Sequence, residues 1–156
     1  MHLEKHEFFF IETIRPMADE TGQPLEFTPQ SRYRNTRDLP LNPYGQGAFC
    51  RFKLKNPISK GGVYILASGT KPLYAGICEN LEKRFSLSQY GSISPKNCYR
   101  GGQSTNCRIN GKILQYAKKR VFFDLWFLSV EDKSERKSIE NKLISSMPDM
   151  WNIQKA

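Results

Sequence analysis

The 156-residue chain carries 24 Lys/Arg against 15 Asp/Glu, a formal net charge of +9, with a mean hydropathy of −0.58. That length suits one domain with a real core, and no apolar run approaches the ~20 residues of a membrane-spanning helix. The short apolar run 8–11 is enclosed by Glu7 and Glu12 and does not read as an export signal, so a cytoplasmic setting with no membrane partner is expected.

The charge is unevenly placed. Residues 51–120 hold fourteen Lys/Arg and two Asp/Glu, a net +12, and the rest of the chain is net −3. A solvated face mixes signs; this segment does not, which points to a polyanionic partner, with nucleic acid foremost. Four cysteines (Cys50, Cys78, Cys98, Cys107) form no C-x-x-C pair, so free thiols are expected rather than zinc.

Residues 1–60 read as a β-rich N-terminal extension joined in one compact unit to a domain over 61–156. The pattern predicts strands over 8–14 and 48–54. The latter alternates Phe49, Arg51 and Lys53 against Cys50, Phe52 and Leu54. The Pro/Asn/Gly/Arg-rich stretch between them has no single predicted conformation; Arg32, Arg34 and Arg37 suit either phosphate contacts or a solvated loop. His2 and His6 lie too near the start of the chain to suggest a metal site.

Residues 61–85, GGVYILASGTKPLYAGICENLEKRF, organise the remainder. Val63 and Ile65 alternate with Tyr64 and Leu66 as in a strand. Residues 67–72 are turn-like, 73–77 read as a returning strand, and 78–85 as a helix with Leu81 and Phe85 on one face. Two tyrosines thus sit on paired strands, with Arg84 just beyond. Alternating tyrosines in a hairpin are often packing residues with a wet tip. The trio also suits attack on a phosphodiester: a guanidinium fork matches phosphate oxygens, and a phenol orients water or takes its proton if its pKa falls from ~10.

Residues 86–106 lack a hydrophobic pattern and mix Tyr90, Lys96, Tyr99 and Arg100 with glycine and serine. Long irregular insertions are commonly functional or mobile, and this composition suits contact with a nucleic acid. The stripe Ile109, Ile113, Leu114, Ala117 predicts a helix over 107–119, with Ser104, Thr105 or Asn106 as cap and Arg108, Lys112, Lys118, Lys119 and Arg120 around it. Residues 121–130 read as a covered strand whose Asp124 either belongs to the covered site or pairs with a lysine. Residues 133–146 predict an amphipathic helix. Ile139, Leu143 and Met147 form its stripe, and Glu140 lies at the stripe's edge. An inward carboxylate needs a cationic partner or a metal, and magnesium needs few protein ligands.

In this order and at these separations, Gly62-Val63-Tyr64, Tyr74-Ala75-Gly76, Arg84, Glu140 and Asn152 resemble the GIY-YIG nuclease superfamily. The ending Trp151-Asn152-Ile153-Gln154 is similar to its stand-alone phage endonuclease II and restriction branch. The resemblance implies an α+β fold, a three-stranded antiparallel sheet flanked by helices. It further implies a Mg2+-dependent endonuclease (Mn2+ as a substitute) that cuts duplex DNA to 5′-phosphate and 3′-hydroxyl ends. In that scheme Tyr64 activates water, Tyr74 orients it, Arg84 holds the scissile phosphate, Glu140 binds the metal ion, and Asn152 supports the site. Ser88 stands where relatives carry His or Tyr, a role left to Tyr90 or missing, and Ile77 stands where some carry Lys. Lys83, Lys96, Tyr99, Arg100, Arg108, Lys112, Lys118 and Lys119 are the expected DNA contacts. A homo-oligomer, dimer or higher, is expected because one such site cuts one strand. A structure-specific repair nuclease and a catalytically inactive DNA-binding module are the alternative readings.

Overall fold

A computed structural model describes residues 1–152. The fold is α+β. Its elements are β1 (His2–Leu3), β2 (His6–Glu7), β3 (Phe9–Thr13), β4 (Gly62–Ser68), β5 (Lys71–Cys78), α1 (Leu81–Arg84), α2 (Ser104–Ala117), β6 (Asp124–Ser129) and α3 (Lys133–Ser146). Short 3-10 turns cover Pro29–Arg32 and Pro95–Cys98. Among the described residues no helix is long and apolar enough to cross a membrane.

By its contacts the chain divides non-sequentially into two units. The first takes Met1–Ile14, Lys55–Glu82 and the described residues from Phe123 onward; the second takes Arg15–Leu54 and Lys83–Phe122. The boundary falls inside α1.

The first unit is an antiparallel sheet in the order β3-β6-β4-β5. Four strands stand where three are expected, because β3 pairs with β6, bringing Phe9 opposite Phe127 and Thr13 opposite Asp124. Among the described residues Asp124 has no lysine partner; its carboxylate accepts from Thr13 Oγ1 at 2.7 Å, across the same strand pair. The β4–β5 turn is shorter than its composition implies. It is Gly69-Thr70, with Gly69 at φ +60°, where a side chain would be strained. Pro72 therefore lies within β5, an edge strand that tolerates its missing N–H.

The sheet alternates cleanly between two faces. Val63, Ile65, Ala67 and Ala75 form one core cluster with Ile139 and Leu143 of α3, and Trp126 and Leu128 pack against it partly buried. Fully burying a Val, Ile or Leu side chain contributes about 1.5–3 kcal/mol. Asp132 caps α3 by accepting from Glu135 N–H at 3.1 Å, so this helix runs over the residues its pattern predicts.

In the second unit the strand expected over 48–54 is absent, and the reason is where its backbone bonds go. Phe49 exchanges two bonds with Phe27 (2.8 and 2.9 Å), Arg51 accepts from Met17 (2.7 Å), and Phe52 donates to Gly91 (2.9 Å). Cys50 is held by a side chain, that of Asn110. Dispersed over four segments, these bonds build no ladder. The helix expected from 107 begins earlier, at Ser104, with Gln103 as cap residue. Ser104, Thr105 and Asn106 lie inside the helix, and no side chain caps it.

Candidate functional site

The hairpin register fixes the two tyrosines. Tyr64 pairs with Gly76 and Leu66 with Tyr74, so both phenols project from the face opposite α3. Their ring centroids are 6.2 Å apart, tilted by 38°. Gly76 is required here: a Cβ at this position would stand 2.3 Å from the ring carbon and oxygen at the tip of Tyr64. The hydroxyl end of Tyr64 therefore lies over the backbone of the second glycine motif. Both phenols are shielded, Tyr64 at 1% and Tyr74 at 7% exposure.

The end of the described chain clamps the strand that carries Tyr74. The Asn152 amide donates to Ala75 O (2.7 Å), and its oxygen accepts from Ala75 N–H (3.0 Å). Trp151 N–H donates to Leu73 O at 2.6 Å, and its indole packs edge-on against Phe123 at 4.9 Å. Both peptides flanking Tyr74 are thus tied down. Ile153 and Gln154, the rest of that ending, lie outside the described residues.

Arg84 closes the single turn of α1, shorter than the helix expected from 78, because β5 continues through Cys78. Its guanidinium lies over the Tyr90 ring, 5.7 Å from the centroid. Tyr90 is 1% exposed and meets Phe85 edge-on at 5.2 Å. Tyr90 N–H donates to Arg84 O at 3.1 Å. The aromatic residue missing at position 88 thus has a neighbour two residues on that touches Arg84, while Ser88 itself is exposed and bonded to Ser86.

Glu140 stands on α3, whose stripe covers the sheet face opposite the phenols. Its side chain is 12% exposed and its carboxylate forms an ion pair with Lys137 at 2.9 Å. Among the described residues no group of three or more His, Cys, Asp or Glu gathers for a metal. A lone, largely shielded carboxylate suits an ion that keeps most of its waters. The Lys137 ammonium, on a side chain 61% exposed, has room to move aside.

The expected DNA contacts fall into separate places in the second unit. Lys96 and Arg100 line one cavity together with Arg37. Tyr99 is stacked on Tyr33 at 4.8 Å and donates its hydroxyl to Gln30 O at 2.9 Å. Arg108, Lys112 and Lys118 line a groove of about 490 Å³ along α2. There the Arg108 guanidinium sits 5.9 Å from the Tyr44 ring centroid, and Lys118 pairs with Glu26 at 3.0 Å. The Lys119 ammonium lies 5.9 Å from the Tyr116 ring centroid, and Lys83 is exposed on α1. The 86–106 segment is not a free loop: Tyr90, Gly91, Ile93, Asn97 and Cys98 are buried.

The sequence reading missed Asn110. It is fully buried on α2. Its amide donates to Cys50 O (3.0 Å) and Tyr90 O (2.8 Å), and its oxygen accepts from Cys50 N–H (2.9 Å). One side chain thereby fixes the segment bearing Tyr90. The signal was present: Asn110 lies between Ile109 and Ile113 on the apolar stripe, and a buried amide requires partners. All four cysteines are free and buried.

No protein-family model, curated protein or solved structure matches this chain.

Proposed function

We propose that this chain is a Mg2+-dependent endonuclease of the GIY-YIG kind, hydrolysing phosphodiester bonds of duplex DNA in a phage or restriction setting. The observation that carries the reading is the hairpin: Tyr64 opposite Gly76, Tyr74 on the same face, and the Asn152 clamp on the strand that carries Tyr74. The antiparallel run β6-β4-β5 within the four-stranded sheet is the part of the fold this reading draws on. The second unit supplies the positive surface for a polyanion.

In this reading Arg84 grips the scissile phosphate as a permanently charged fork, steadied by the Tyr90 ring beneath it. Tyr64, acting as its phenolate, takes the proton of the attacking water and becomes the neutral phenol, and Tyr74 orients that water. Glu140 would hold the divalent ion, which when bound offsets charge on the leaving oxygen. A dimer or larger homo-oligomer would place two such sites on the two strands.

A second reading, a DNA-binding module without catalysis, draws on three observations. Tyr64 is almost wholly covered, the Glu140 carboxylate is occupied by Lys137, and Ser88 stands in place of an aromatic or imidazole. Supercoiled plasmid separates the two. With Mg2+ the nuclease nicks or linearises it, and chelator stops the reaction; plasmid that stays intact across metals and pH while still binding the protein leaves the module. Preference for branched or flapped duplexes over plain duplex would reassign the enzyme to structure-specific repair.

A further inference from the structure

Two loops far apart in sequence close on one cationic cavity in the second unit. Arg37 comes from one, Lys96 and Arg100 from the other, and together they line a space of about 350 Å³. Among the described residues no carboxylate lines it. All three side chains are exposed. Among the described residues, none of them has an ion pair or hydrogen bond within the chain. Elsewhere in this unit Lys118 is neutralised by Glu26. Three uncompensated like charges around one concavity repel one another, and an anion relieves that repulsion.

The cavity is also built rather than fortuitous. Arg100 N–H donates to Pro40 O at 2.9 Å, and Asn42 Nδ2 donates to Asn97 O at 2.7 Å, so each loop holds the other's backbone. The Asn35 amide brackets Leu39, donating to its oxygen and accepting from its N–H, both at 2.8 Å. Tyr33 lines the cavity and is braced by the Tyr99 ring. Gly102 is enforced, since a Cβ there would meet Lys96 O at 2.4 Å. Such bracing lowers the ordering cost of binding, and the size falls at the lower end of small-ligand sites, ~300–1,000 Å³.

We propose that this cavity is a phosphate-binding subsite that grips a backbone phosphate of the nucleic acid other than the one cleaved. The assignment to nucleic acid rests on the reading given under Proposed function; the phosphate chemistry does not. The experiment is equilibrium binding of a fluorescent DNA duplex, with the metal chelated, across a salt series. Wild type is compared with an Arg37→Gln/Arg100→Gln double variant whose unfolding midpoint is checked. Expected is an affinity loss of about tenfold or more near physiological salt and a salt slope shallower by about 2. A variant that matches wild type in affinity and slope overturns the subsite and leaves the nuclease reading standing. Should wild type bind no duplex, that reading fails instead. Inorganic phosphate is then titrated while the Gly101 and Gly102 amide resonances are followed. Shifts in wild type that vanish in the variant keep the cavity as a site for a free phosphate; their absence in wild type overturns it outright.

Discussion

The sheet-bearing unit holds nine Lys/Arg and eleven Asp/Glu, whereas the other holds fifteen and four, a net −2 against a net +11. Within the second, residues 83–122 contain nine cations and no acid. The first unit carries the paired phenols, the shielded carboxylate and the amide clamp. The second carries the charge, a cationic cavity and a groove. Groups that act on a bond need exact placement, which a sheet with fixed register provides. Groups that hold a polyanion need number and sign, which loops and a helix surface provide. In the proposed reading both demands fall on Arg84: it is a cation, and it must be aimed.

The largest expected effect tests that division. Glu140→Gln and Arg84→Ala should lower plasmid nicking by about 10²–10³-fold or more. Duplex binding by Glu140→Gln, followed by anisotropy, should stay near wild type; equal loss of binding and cleavage would erase the distinction between the units. Next, Asn110→Ala leaves both polar groups of Cys50 and the Tyr90 carbonyl without their partner. It should cost roughly 2–4 kcal/mol, read from urea denaturation by circular dichroism. Asn152→Ala removes two bonds from β5 and should cost about 1–2 kcal/mol. Trp126 and Trp151 both lie in the sheet unit, so tryptophan fluorescence follows this change. Nicking should fall about tenfold or more, because a displaced Tyr74 loses its aim.

A last test is a pH dependence in the second unit, felt only above about pH 9. Burial pushes the Cys50 thiol from 9.0 up to about 12. The unfolded thiol loses its proton first, so between pH 9 and 12 the native state binds more protons and stability falls as pH rises. Below about pH 9 the contribution is whole. Cys50→Ala should flatten this decline in unfolding midpoint measured across that range.

Much of the sheet unit was legible because its cues are local. Alternation marked β4 and β5, and a stripe at four-residue spacing marked α3. The membership of β3 was not, since nothing in a five-residue strand names its partner. The second unit read poorly for a different reason. The 48–54 segment alternates like a strand, yet a buried asparagine and three unrelated backbones satisfy it. Side-chain amides that imitate a neighbouring strand recur at Asn35, Asn110 and Asn152, and alternation alone cannot foretell them. Of the proposed site residues, the motif spacing supplied Tyr64, Tyr74, Arg84, Glu140 and Asn152. It did not reveal that Tyr64 would be covered or that Glu140 would face Lys137. The contribution of Arg37 to the cavity depended on a loop-to-loop closure that no spacing encodes.

Residue 152 is translated 77 positions after the peptide it brackets. Until then, the outer rim of β5 displays open donors and acceptors, a template on which a neighbouring nascent chain can add a strand. Release of product before that asparagine emerges would therefore leave a sticky hairpin instead of a merely weaker one, and premature termination should yield inclusion bodies ahead of inactive soluble protein.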